Sequence, residues 1–230
     1  MRVAIWFIAA ICSYLIAGFN LAILLSKAIY HQDIREVGSK NPGVTNFNRV
    51  YGNKYAWFIF AFDLLKAALP ALIFAIAFDK IFGWWQLGAA YAGVFALIGH
   101  VYPVFYRFKG GKGFLVTFAL LWVLDWRAGL VATAVMLTVL PLSGFMSLSS
   151  ILTLIGGGVT LCFTHTPLSA LFLTFGAILL VICRHRGNIA RLVAGTEKKF
   201  SFRKKKAAPE VAPAGSAETE EKTAVGEEKE

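Results

Sequence analysis

Seven apolar stretches constrain this chain of 230 residues more than any other feature; they run at 3–25, 56–78, 85–105, 114–124, 128–142, 148–164 and 168–183. A hydrocarbon core about 30 Å thick takes about 20 apolar residues per helical span. The first three stretches fit that length and the later ones are short. With 57% hydrophobic residues, 16% charged residues and a mean hydropathy of +0.64, there is too little polar surface to wrap a soluble core. The pattern predicts an all-α, polytopic membrane helix bundle. Ala17 and Gly18 are followed by further apolar sequence from Leu21 to Leu25 rather than by a cleavage site, so the first segment is expected to stay. Cys12, Cys162 and Cys183 lie in apolar segments without a CxxC pair, which points to packing and not to disulfides or zinc.

The stretch from Phe114 to Leu142 decides the topology. As one helix its 29 residues would run about 43 Å, well beyond the hydrocarbon core, and Asp125, Trp126 and Arg127 interrupt it. Two short helices are therefore expected, giving about seven transmembrane helices. Seven spans put 26–55, 106–113, 143–147 and everything after Cys183 on one side. That side holds Lys27, Arg35, Lys40, Arg49, Lys54, Arg107, Lys109, Lys112, Arg184, Arg186, Arg191 and the Lys198 to Lys206 cluster, against Arg2, Lys80 and Arg127 on the other. The positive-inside rule makes the rich side cytoplasmic, with the amino terminus outside and the carboxyl terminus inside. Six spans would split the basic segments between faces. Residues 1–206 carry 21 basic and 6 acidic residues and 207–230 carry 2 and 7, so a membrane-embedded domain over 1–206 and a disordered acidic tail over 207–230 are expected. Basic charge beside apolar spans reports topology and contact with membrane lipids, not nucleic acid.

Three polar motifs gather on that basic face. The first is Gly38-Ser39-Lys40-Asn41-Pro42-Gly43-Val44-Thr45-Asn46 followed by Arg49: small residues let backbone amides approach an anion, Ser, Thr and Asn add donors, and arginine binds phosphate bidentately. A solvated turn is the plainer alternative. The second, Phe108-Lys109-Gly110-Gly111-Lys112-Gly113, precedes an apolar helix, where start-of-helix amides and two ammonium groups would cradle phosphate. It is not a Walker A loop, since Gly113 stands where Ser or Thr should follow the lysine. The third runs from His185-Arg186-Gly187-Asn188 to Arg191, then Glu197. On one continuous helix His185, Asn188 and Arg191 would form a polar stripe, whereas His31 and His165 read as interfacial. Asp33, Glu36, Asp63 and Glu197 are scattered, with no pairing suited to magnesium, so charge neutralisation falls to Lys and Arg. Gly156-Gly157-Gly158 reads as helix packing.

At these residues the chain resembles the PlsY family of acyl-phosphate:glycerol-3-phosphate acyltransferases over nearly all of 10–199. The family's Gly-Ser-x-Asn-x-Gly-Ala-Thr-Asn is met from Gly38 to Asn46 except at Val44. Its Gly-His-x-Phe-Pro-x-Phe and Phe-Lys-Gly-Gly-Lys-Gly are met from Gly99 to Gly113 with Tyr102 for phenylalanine, and its His-Arg-x-Asn-Ile-x-Arg-Leu followed by Gly-x-Glu from His185 to Glu197. Asp63 and Lys66 match a family Asp-x-x-Lys and read here as helix-packing positions. The resemblance implies acyl transfer from acyl phosphate to the 1-hydroxyl of glycerol 3-phosphate, at the cytoplasmic face of a bacterial inner membrane, with no cofactor, no metal and no obligate protein partner. It implies His185, Lys112 and Ser150 at the chemistry, Ser150 as a hydrogen-bond donor. Ser39, Asn41, Gly43, Thr45, Asn46, Arg49, Lys109, Gly110, Gly111, Gly113, Asn188, Arg191 and Glu197 would hold substrate. Whether His185 takes the hydroxyl proton or only positions substrate stays open. The His-x-x-x-x-Asp motif of acyl-CoA-dependent acyltransferases is absent. A transporter of a phosphorylated solute is the alternative, against which stand the lack of an internal repeat and the gathering of motifs on one face.

Overall fold

The computed structural model describes residues 2–200; the expected acidic tail and the Arg203 to Lys206 cluster lie outside the described residues. Regular structure among these is entirely helical. The first apolar stretch is broken into α1 (Ala4–Gly18) and α2 (Leu21–Tyr30). At the break, the Asn20 side chain accepts from the Ile23 amide and donates to the Pro42 carbonyl at 2.9 Å, and Lys66 Nζ donates to the Phe19 carbonyl at 2.7 Å. Those bonds satisfy helix-end groups that the chain would otherwise bury unpaired. Lys66 also pairs with Asp63 one turn earlier, at 2.8 Å, both side chains almost fully buried. The two positions taken as packing residues are thus a buried ion pair that supports the α1–α2 break.

Beyond a loop lies α3 (Val44–Tyr51), a short amphipathic helix whose Phe47 is buried with Ile23, Ile34 and Ile59. The long α4 (Ala56–Phe82) follows, then α5 (Trp85–Val101). The latter is central, packed against α1, α4 and two helices still to come. Small residues permit this: a Cβ on Gly99 would sit 2.1 Å from the Tyr14 carbonyl oxygen of α1.

The expected break between 114 and 142 is present. It separates α6 (Phe114–Leu124) from α7 (Trp126–Ser143), with the Asp125 side chain capping α7 by accepting from the Arg127 amide. Next come α8 (Met146–Leu161), α9 (Leu168–Arg184) and α10 (Arg186–Val193). Gly157 meets Leu121 and Ala132, and Gly158 meets Ile178, so the triple glycine is a packing surface. Among the described residues four helices are long and apolar enough to cross a membrane: Ala4–Tyr30, Ala56–Phe82, Trp85–Tyr106 and Trp126–Ser143. The α9–α10 pair, bent by 57° at His185, makes a fifth if the two helices count as one span, whereas α6 and α8 are shorter apolar helices. Each of the seven predicted segments is helical, the first with a break at Phe19 and Asn20, and the polar stripe from His185 to Arg191, expected on one continuous helix, crosses a bend just after the seventh. Trp57, Leu137 and Phe172, 70%, 71% and 76% exposed, form part of an apolar girdle that fits a lipid environment.

Candidate active site

At one end of the bundle, the loop after α2, the starts of α6 and α8, and the α9–α10 bend enclose a cavity of about 420 Å³. Most of its lining residues are polar or charged. Of the residues singled out in the sequence, Ser39, Asn41, Gly43, Thr45, Asn46, Arg49, Lys112, Gly113, Ser150, His185, Asn188, Arg191 and Glu197 line it; Lys109, Gly110 and Gly111 do not.

The loop from Gly38 to Gly43 is held from within. Asn46, buried at the start of α3, accepts from the Ser39 amide at 2.7 Å and donates to the Val37 and Ile34 carbonyls. Its amide is therefore fully engaged in shaping the loop. Gly38 turns in the left-handed region (φ 62°), and a Cβ there would lie 2.3 Å from Asn46 Oδ1. At Gly43 α3 begins without a side-chain cap, and the Val44 and Thr45 amides have no acceptor among the described residues. Arg49, one helical turn along α3 from Thr45, faces the cavity with no carboxylate partner among the described residues.

The glycine–lysine loop works differently from the cradle its composition predicts. The Gly110 and Gly111 amides donate to the Val101 and His100 carbonyls at the end of α5, both at 3.1 Å. They are not free for an anion. Both glycines are buried because they press against His100: an added Cβ would lie 2.1 Å from its carbonyl oxygen at Gly110 and 2.2 Å from its Nε2 at Gly111. The effect is to place Lys112 in the cavity wall and to start α6 at Gly113 (φ 92°) without a side-chain cap. The start of α8 also lacks a side-chain cap and contributes Met146, Ser147 and Ser150. Three helix amino ends thus border one cavity, each a source of partial positive charge.

Across from them, Lys112 Nζ donates to Asn188 Oδ1, and Asn188 Nδ2 donates to Glu197 Oε1 at 2.6 Å. Ser147 Oγ donates to the same oxygen at 2.8 Å, and Arg191 Nε to Glu197 Oε2 at 2.7 Å. Burial alone would raise the Glu197 pKa, but the bonds from Asn188, Ser147 and Arg191 bring it below the ordinary value. Burial, followed by the neighbouring Arg191, Arg184 and Arg49, lowers Lys112 to about 8, with Glu197 opposing them. Near neutral pH the lysine is charged but easily made neutral. His185, 4% exposed, sits in the bend with Nδ1 2.8 Å from the Val181 carbonyl. A carbonyl only accepts, so Nδ1 carries the proton, and in the neutral ring Nε2 keeps a lone pair and has no partner among the described residues. Ser150 Oγ donates to the Met146 carbonyl at 2.7 Å. In this arrangement its proton is engaged within α8 while its oxygen borders the cavity.

Sequence reasoning passed over Lys40, Asp63, His100, Ser147 and Lys198 as cavity residues. For Ser147 the signal was its three-residue spacing from Ser150, which puts both on one helix face. Among the described residues no group of three or more His, Cys, Asp or Glu is arranged to hold a metal ion.

The family profile described as glycerol-3-phosphate acyltransferase matches residues 7–195. A glycerol-3-phosphate acyltransferase of Macrococcus caseolyticus is 36% identical over 205 residues, covering 89% of this chain and 100% of that protein. One from Aquifex aeolicus is 34% identical over 190 residues, covering 83% and 96%. The crystal structure of PlsY, an integral membrane glycerol 3-phosphate acyltransferase, in its glycerol 3-phosphate form superposes with a TM-score of 0.78 at 33% identity, covering 85% of this chain and 96% of that one. Its lysophosphatidic acid form gives 0.75 at 32% identity, covering 85% and 95%. With the profile spanning most of the chain and these relatives matched over nearly their whole length, the protein belongs to the glycerol-3-phosphate acyltransferase family.

Proposed function

We propose that this protein transfers a fatty acyl group from acyl phosphate to the 1-hydroxyl of glycerol 3-phosphate, giving lysophosphatidic acid and inorganic phosphate. The carrying observation is a single cavity bordered by three uncapped helix amino ends, Arg49 and Lys112, and joined through Asn188 to Glu197. Two phosphorylated substrates need that much positive potential, while the acyl chain can remain in the bilayer. In this reading the α3 amino end, Ser39, Thr45 and Arg49 hold one phosphate, and Lys112 with the α6 amino end holds the other. Positive groups fixed beside the carbonyl stabilise the oxyanion and the leaving phosphate, and alignment of hydroxyl and carbonyl supplies much of the rest. His185 Nε2 accepts the hydrogen bond of the attacking hydroxyl. The hydroxyl oxygen bonds to the acyl carbon, the acyl–phosphate C–O bond breaks, and the proton ends on released phosphate.

The same reading sets the seven helical segments across a bacterial inner membrane, amino terminus outside and carboxyl terminus inside, so that the cavity opens to the cytoplasm where the basic loops lie. The test is activity of purified protein with palmitoyl phosphate and glycerol 3-phosphate in the presence of chelator, following phosphate and lysophosphatidate together, with acyl-CoA as parallel donor. Equal formation of both products from acyl phosphate supports the proposal. Turnover only from acyl-CoA, or none by folded protein, overturns it.

A further inference from the structure

A second cavity, of about 220 Å³, is lined by Tyr102, Leu180, Cys183, Arg184 and Arg186 and shares no residue with the first. The α9–α10 bend explains the division: His185 lines the first cavity while its two neighbours line the second. The Arg184 guanidinium lies 5.5 Å from the centroid of the Tyr102 ring, and its Nε–H is buried with no acceptor among the described residues. Neither Arg184 nor Arg186 is in an ion pair with a carboxylate among the described residues. An arginine that only anchors a helix end extends its head into water. One held against a tyrosine with a donor buried marks a place for an acceptor oxygen.

From Cys183 a stripe of side chains descends α9 at steps of three and four residues through Leu179, Phe175 and Phe172, exposed by 60%, 38% and 76%. At 1.5 Å per residue the stripe runs about 16 Å, half of a hydrocarbon core about 30 Å thick. A basic pocket at the head of an apolar track one leaflet long matches the shape of an anionic lipid.

We propose that Arg184, Arg186 and Tyr102 bind the phosphate of an anionic phospholipid whose acyl chain lies along Phe172, Phe175 and Leu179. The site is separate from the catalytic cavity and would couple the bend that holds His185 to the charge of the surrounding membrane.

Native mass spectrometry of the full chain in neutral detergent, loaded with equal phosphatidylglycerol and phosphatidylcholine, tests this. Wild-type protein should retain one phosphatidylglycerol with at least a fivefold preference, and Arg184→Gln combined with Arg186→Gln should bring the two lipids to parity. Should that variant fail to fold, footprinting of the wild type decides. Phosphatidylglycerol should slow N-ethylmaleimide alkylation of Cys183 at least threefold, read by peptide mass spectrometry, without slowing Cys162. Equal retention of both lipids, preference surviving the double substitution, unprotected Cys183, or protection by inorganic phosphate equal to that by lipid would each overturn the proposal.

Discussion

The loop from Gly38 to Gly43, before the amphipathic α3, and the loop from Lys109 to Gly113, before the apolar α6, both combine glycine with lysine, and they meet at one cavity. In the first, Asn46 gathers the Ser39 amide and two carbonyls, leaving the Val44 and Thr45 amides and the Ser39 and Arg49 side chains toward the cavity. In the second, the glycine amides are engaged by the end of α5, and only the Lys112 side chain and the start of α6 face inward. Glycine borders the cavity in the first loop, at Gly43, and serves close backbone packing in the second. What separates them is where the neighbouring helix ends.

The largest effect expected from that contrast is at Lys112. Lys112→Met should lower kcat/KM by about 10²–10³-fold, the scale of losing one group that stabilises developing charge, with little change in thermal unfolding. A comparable fall in melting temperature would show Lys112 to be structural. Next is Gly111→Ala, whose Cβ would lie 2.2 Å from His100 Nε2. We expect about 1–3 kcal/mol of destabilisation, as for overpacked sites, and reduced activity through displaced Lys112; an unchanged melting temperature would contradict the close packing described.

Asn46→Ala should cost about 1–3 kcal/mol by leaving buried loop groups unpaired and should raise KM for glycerol 3-phosphate more than it lowers kcat. The reverse split would place Asn46 at the chemistry. Lys112 is charged below about 8 and loses its proton as pH rises through that value, so KM should climb by up to about tenfold per pH unit above it. Lys112→Arg, if active, should lack that limb, and a wild-type profile flat to pH 10 would refute the assignment. Gly43→Ala should do least. Its Cβ meets only the Asn41 side-chain amide, at 2.9 Å, and φ of −131° suits any residue. The change should stay within about 0.5 kcal/mol, and a loss as large as that of Gly111→Ala would erase the distinction between the loops.

The helical, membrane-spanning character and the break at Asp125 were legible because hydropathy and length are one-dimensional properties. So was the gathering of three motifs, since most of their residues line one cavity. The break at Asn20 and the bend at His185 were not, because each depends on a distant partner: Pro42 and Lys66 for the first, and the Lys112–Asn188–Glu197 chain beside the second. A glycine pattern says that backbone can come close to something. It does not say whether that is substrate or another turn of the same chain, which is why Gly110 and Gly111 were read as ligand-facing. The ion pair of Asp63 and Lys66 was hidden for a similar reason: its spacing is plain, but its role as a brace for the Phe19 carbonyl is tertiary.

The bend at His185 has a consequence for biogenesis. Ser39 and Arg49 leave the ribosome early, whereas His185, Asn188 and Glu197 arrive with the last helices. The bundle around α4 and α5 can form while the cavity still lacks its far wall. A nascent chain arrested before α10 would lack Asn188, Arg191 and Glu197 of the cavity wall, so the cavity is complete only once the segment through Glu197 has been made.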